Sequence, residues 1–164
     1  MKRLILVRHA KSDWTHQDIL DIDRPLNQRG YEDAYFMSSV YASSFNFPEL
    51  IVVSPAVRTF STALIFAKAF NLNLSSIQIN EALYEANEDT LLRQIYNLPD
   101  SFETVMMVGH NPGIGNLLNT LSENNFENFP TCGIVILEFQ ILSWLKINEV
   151  KGECIFHAFP KEFK

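Results

Sequence analysis

The chain has 164 residues, 47% of them apolar and 20% charged. That is the length of one domain, with a core able to take roughly two-thirds of the unfolded surface out of water. It excludes a disordered or low-complexity chain. Thirteen Lys and Arg against 19 Asp and Glu give a net charge of −6, which excludes a broadly basic surface for nucleic acid or anionic lipid. The charge is uneven: residues 1–30 hold six basic side chains against four acidic ones, an arrangement that directs attention to small anions.

Lys2 to Val7 reads as a short, continuous buried strand that stops at Arg8-His9. Its apolar run is too short for a signal-peptide core or a membrane span. Residues 10–25 are polar and contain Pro25, which predicts a long loop. From Asn27 the apolar spacing turns helical through Tyr31, Ala34, Met37 and Tyr41. Leu50 to Val53 is a second buried strand. Ser54-Pro55 then predicts an N-cap followed by proline at the first helical position, with the helix running to about Phe70. Ile77 to Ile79 reads as a weaker strand, and Asn87 as the cap of a helix through Leu91, Ile95 and Leu98. Val105 to Val108 is a third strong strand, ending at Gly109-His110, and Asn111-Pro112 repeats the cap-then-proline pattern before a helix to about Leu121. Ser122 to Asn128 reads as a surface loop. Ile134 to Phe139, a stretch near Trp144 to Ile147, and Cys154 to Phe159 read as strands without helices between them. The expected fold is α/β: a three-layer α/β/α sandwich with a mostly parallel sheet and an antiparallel C-terminal edge, forming one domain over residues 1–164.

In open α/β sheets ligands bind beyond the carboxyl ends of the strands. Three strand ends here carry Arg8-His9, then Ser54 with Arg58, then Gly109-His110. With Pro55 as the first helical residue, Arg58 is the fourth and points back over the sheet rim, with Thr62 one turn on. Two guanidiniums, two imidazoles and a helix start then share one crevice. That is an anion site, and phosphate fits it because Arg matches its geometry bidentately. Other readings are weaker. Gly113-x-Gly115 lacks the third glycine and downstream acid of a dinucleotide fingerprint. A zinc site at His9 and His110 lacks a third ligand with recognisable spacing. Cys132 and Cys154 stand alone, with no C-x-x-C, and read as buried thiols in a reducing cytoplasm, the expected location. His16 and His157 have no partner pattern and read as structural or exposed.

Leu6-Val7-Arg8-His9-Ala10-Lys11-Ser12 resembles the signature of the histidine phosphatase superfamily, the phosphoglycerate mutase-like fold. Ser54-Pro55-x-x-Arg58-x-x-x-Thr62-Ala63 is similar to its second motif and Val108-Gly109-His110-Asn111-Pro112 to its third. Their order and spacing match along the chain. Together with Asp23-Arg24-Pro25-Leu26 and Leu83-Tyr84-Glu85-Ala86, they most resemble the compact SixA-type phosphohistidine phosphatases.

The resemblance implies that His9 attacks phosphorus and becomes a phosphohistidine, which water hydrolyses. Arg8, Arg58 and His110 would hold the phosphoryl oxygens, with Ser12 and Asn111 also at the phosphate. Glu85 would be the proton donor, with Glu81 close enough in sequence to compete. Neither a metal nor any other cofactor is implied. Ala10-Lys11 stands where mutase members have Gly-Glu, Thr15 where they have Asn, and Ser61 where the second motif has Gln or Glu. These departures argue against mutase activity. The length leaves no room for a capping insertion over the site, so the favoured substrate is phosphohistidine on a protein, a histidine-phosphotransfer domain being one such carrier. The alternatives are a phosphatase of small metabolite or sugar phosphoesters, and an inactive phosphate-binding module. Nucleic-acid and membrane partners are not expected.

Overall fold

A computed structural model describes residues 1–164. The ten regular elements are β1 (Lys2–Arg8), α1 (Gln28–Ala42), β2 (Leu50–Val53), α2 (Val57–Ala69), β3 (Ile77–Ile79), α3 (Glu88–Tyr96), β4 (Thr104–Gly109), α4 (Gly113–Leu121), β5 (Ile134–Phe139) and β6 (Glu153–Ala158). They form one six-stranded sheet in the order β3-β2-β4-β1-β5-β6. β3, β2, β4 and β1 pair in parallel, whereas β5 is antiparallel to β1 and to β6. This is the expected α/β architecture, a mostly parallel sheet with an antiparallel C-terminal edge.

The strands at the centre are apolar on both faces because helices cover both. Along β1, Leu4 and Leu6 join a core with Leu91 and Ile95 of α3 and Ile114, Leu117 and Leu118 of α4. Ile5 and Val7 point the other way, into a core with Ala34, Met37 and Tyr41 of α1 and Ala63 and Phe66 of α2. β4 divides in the same manner, Val105 and Met107 against Met106 and Val108. Each such fully buried Val, Leu or Ile contributes roughly 1.5–3 kcal/mol relative to exposure, so the central strands are the most firmly held part of the fold. None of the helices is long and apolar enough to cross a membrane.

Some local expectations fail. Asn27 and Asn87 do cap α1 and α3, accepting from the Gly30 and Thr90 N–H groups. Ser54 does not cap α2. That helix begins at Val57 with Ala56 in the cap position and no side-chain cap, which makes Arg58 its second residue rather than its fourth. Likewise Pro112, not Asn111, precedes the first residue of α4. In both cases the would-be cap side chain has a tertiary partner: Ser54 Oγ lies 2.7 Å from His110 Nε2, and Asn111 Nδ2 donates to the Phe129 carbonyl at 2.9 Å. The strand expected near Trp144 to Ile147 is a 3-10 turn over Trp144–Lys146. Trp144 is fully buried, and its backbone N–H and indole N–H donate to the Asp100 carboxylate and the Phe102 carbonyl. The indole closes the end of one core, and a strand would have carried it away from those acceptors. α3 ends at Tyr96, short of the expected Leu98.

Candidate active site

β1, β4 and β2 are neighbours at the centre of the sheet, so their carboxyl ends open on one place. The chain at the end of β1 is pinned from both sides. The His9 N–H donates to the Gly109 carbonyl at 3.1 Å, and the Cys132 N–H is shared by the Arg8 and His9 carbonyls at 3.0 and 3.1 Å. The next residue is tied to α2: the Ala10 N–H donates to Thr62 Oγ1, whose hydroxyl donates to the Arg58 carbonyl. Backbone bonds therefore set the end of β1 against the end of β4, and the Thr62 hydroxyl ties it to α2.

A crevice of about 510 Å³ lies over these strand ends. Its lining contains all seven residues singled out from the sequence: Arg8, His9, Ser12, Arg58, Glu85, His110 and Asn111. Lys11, Trp14, Asp21, Arg24 and Thr131 complete it. Glu85, at the exposed rim with a left-handed backbone (φ 53°), lines the crevice. Glu81 is exposed and does not. His16 and His157 are exposed and sit elsewhere, each near a carboxylate of the surface, Asp13 and Glu162.

The two imidazoles lie 5.3 Å apart between ring centroids, both 8% exposed. His9 Nδ1 is 2.7 Å from the Ala10 carbonyl. A carbonyl only accepts, so Nδ1 carries the proton and Nε2 keeps its lone pair. Burial, with His110, Arg58 and Arg8 nearby, lowers the His9 pKa from 6.5 to about 3, against a smaller raising effect of the Ala10 bond. His110 is neutral for a related reason. A guanidinium only donates, so His110 Nδ1 accepts from Arg58 Nη2 at 3.3 Å and Nε2–H donates to Ser54. Burial and Arg58 lower its pKa to about 4.

Asp21 organises the cations. Its carboxylate accepts from Arg24 Nη2 at 2.8 Å, Arg58 Nη2 at 3.1 Å and the Tyr84 hydroxyl at 2.6 Å, and its carbonyl accepts from Arg58 Nη1 at 2.7 Å. The Tyr84 bond above all, with Arg24 and Arg58, holds the Asp21 carboxyl well below the usual range. Tyr84 is pushed up to about 12, by desolvation and then by Asp21. Arg24 also donates to Ser12 Oγ, so the Ser12 hydroxyl is already an acceptor within the protein. The Asn111 amide is held by Phe129, and Arg8 Nη1 donates to that same carbonyl at 3.1 Å. The Nε–H groups of Arg8, Arg24 and Arg58 are buried without a protein acceptor. Three guanidiniums lining one crevice suit an anion with several acceptor oxygens.

A family model of the histidine phosphatase superfamily (branch 1) matches residues 4–96, from β1 through α3. The chain belongs to that superfamily. Its membership covers the Arg8-His9 and Arg58 motifs, and the crevice geometry brings His110 to them from beyond the matched segment. A chloroplastic protein of Arabidopsis thaliana, of uncharacterised function, is 31% identical over 161 residues, covering 92% of this chain and 72% of its own. The SixA structure from Agrobacterium tumefaciens is 27% identical with a TM-score of 0.82, over 97% of this chain and 99% of that one. The protein histidine phosphatase SixA in complex with tungstate has the same fold, with a TM-score of 0.82 over 99% of each chain at 19% identity. This member of the superfamily is a phosphatase hydrolase with a SixA-like, phosphoglycerate mutase-like fold. Asp21, Tyr84, Trp14 and Thr131 had no functional reading from sequence. Tyr84 sits in a segment quoted for the resemblance, but nothing in its spacing signals a bond to a residue in another loop.

Proposed function

We propose that this histidine phosphatase hydrolyses phosphohistidine carried on a protein, without a metal, through a covalent phosphohistidine at His9. The observation that carries the reading is the protonation state of His9. Its Nδ1–H is held by the Ala10 carbonyl, and the ring stays neutral far below physiological pH, so the Nε2 lone pair is available for attack. Arg8, Arg58 and His110 line the crevice with it: the guanidiniums stabilise charge on the phosphoryl oxygens, which is most of what phosphoryl transfer asks of a protein, and His110 joins them by exchanging Ser54 for a phosphoryl oxygen as the acceptor of its Nε2–H. Ser12 and Asn111 act through what they hold, Arg24 and the Phe129 carbonyl, on the shape of the phosphate pocket.

In the first step the His9 Nε2–phosphorus bond forms as the substrate's nitrogen–phosphorus bond breaks. The leaving imidazole departs neutral, because its other ring nitrogen already holds a proton, so no general acid is required. In the second step a water oxygen attacks phosphorus and the bond to His9 breaks. Both water protons leave with inorganic phosphate, and His9 returns to its neutral form. An alcohol leaving group would need a proton, and Glu85, in the crevice lining, is the proposed donor. Residues 1–164 act as a single domain whose crevice is uncapped, which suits a phosphoryl group presented from a protein surface.

The test is incubation with ³²P-labelled phosphohistidine on a protein and, separately, with ³²P-labelled glycerol phosphate, an ester with an alcohol leaving group, followed by a quench. An acid-labile, alkali-stable phosphoenzyme is expected in the wild type and absent in His9→Asn. Glu85→Gln is expected to leave phosphohistidine turnover intact and to slow the ester. A ranking of substrates that favours the ester, with Glu85 essential for both, makes small phosphoesters the substrate instead. Phosphate binding with no turnover of either makes the protein a binding module.

A further inference from the structure

One side of the crevice rim is apolar. In the loop that follows β1, Trp14 is 72% exposed, Leu20 71% and Ile19 39%. Trp14 is nonetheless held in place: its indole lies 3.6 Å over the Arg24 guanidinium, and Arg24 is itself buried and fixed by Asp21 and Ser12. A second hollow of about 330 Å³, lined by Trp14, His16, Gln17, Ile19, Asp21 and Arg24, adjoins the crevice. The two share Trp14, Asp21 and Arg24, so they form one continuous depression from the phosphate pocket to the apolar rim.

We propose that this rim is the docking surface for the phosphorylated protein, which meets it with an apolar patch fringed by basic side chains. The inference rests on the phosphohistidine reading above and adds the surface that selects the carrier. Three observations favour that occupant. The rim is continuous with the pocket that must receive the phosphoryl group, so a protein presenting phosphohistidine to His9 lays its neighbouring surface on residues 14–20. The same loop carries exposed carboxylates at Asp18 and Asp23 with Asp13 half-buried beside them, which complement Lys or Arg around the partner's histidine and repel an acidic surface. Trp14 is an aromatic already fixed by its stack on Arg24, so docking orders little that is not ordered beforehand. Such preorganised aromatics commonly dominate interface energetics.

The experiment compares two substrates, free phosphohistidine and a histidine-phosphotransfer domain phosphorylated on its histidine. Leu20→Asp is the main variant, because Leu20 is exposed and outside the crevice lining. Ile19→Ser is the second. The expected result is a KM for the phosphorylated domain raised about 10- to 30-fold, with kcat on the domain and all constants for free phosphohistidine unchanged. Equal KM values for wild type and variants on the phosphorylated domain overturn the docking surface while leaving the phosphohistidine reading in place. A parallel fall on both substrates overturns it as well, since the rim would then act on the chemistry. A wild type that hydrolyses p-nitrophenyl phosphate and neither phosphohistidine substrate overturns the reading on which the inference rests.

Discussion

The buried neutral His9 has a stability consequence that can be measured without any substrate. Unfolded, its imidazole has an ordinary pKa of 6.5; folded, the value is about 3. A group whose folded pKa is lowered binds its proton more readily in the unfolded state, so acidification favours unfolding. The loss begins as pH falls through 6.5 and continues until the folded value is reached. At pH 4.5 it amounts to about two pKa units, or about 2–3 kcal/mol. That is a large part of the 5–15 kcal/mol typical of a domain. Asp13, Asp21 and Asp100 are held below their ordinary 3.8, and His110, lowered to about 4 by burial and Arg58, costs stability over the same window in both wild type and variant, so the comparison between the two isolates His9. The assay is urea unfolding at pH 7.5 and 4.5, in phosphate-free buffer so that no bound anion contributes. His9→Asn cannot titrate there, and is expected to lose about 2–3 kcal/mol less than wild type over the interval. If both proteins lose the same amount, within about 0.5 kcal/mol, the imidazole is not buried as described and the account of its nucleophilicity fails with it.

Three other substitutions probe the surrounding shell. Arg58→Ala removes a phosphate ligand and is expected to lower kcat on phosphohistidine by about 10²–10³, by analogy with loss of one transition-state donor; a change under fivefold would show that Arg58 is only a clasp for Asp21. Asp21→Asn weakens bonds to Arg24, Arg58 and Tyr84 at a site 45% exposed, so after discounting for solvent the expected cost at pH 7 is about 1 kcal/mol. Because Asp21 is depressed in the fold, that difference is present above pH 4 and should shrink as pH falls further toward the folded value; a gap that widens in acid would reverse the sign. Gly30→Ala sets a Cβ 2.0 Å from the Lys11 carbonyl oxygen, and since backbone must move there, thermal unfolding should report a loss of about 2 kcal/mol or more, with none expected if the loop simply yields.

The sequence marked the crevice through strand ends, because an apolar run that stops at Arg8-His9 or Gly109-His110 leaves polar side chains where a parallel sheet receives ligands. It could not mark Asp21, whose partners lie 3, 37 and 63 residues away and meet it only when the loop after β1 folds back over the strands. The failures of local rules carry information of their own. Ser54 and Asn111 are good caps by sequence, yet neither caps its helix: Ser54 Oγ accepts from His110 and from the Ala56 N–H just before α2, and the Asn111 amide donates to Phe129. Trp144, which also defies its expected strand, does so to fill a core at the other end of the molecule. The difference lies in the partner. Trp144 is held by backbone carbonyl and carboxylate acceptors around a packed ring, whereas Ser54 Oγ accepts from an imidazole facing His9 and Arg58 and so fixes its tautomer. A helix-start serine held by a titratable group, with its helix beginning at Val57 rather than at Pro55, is the kind of local departure expected where function, rather than packing, decides the geometry.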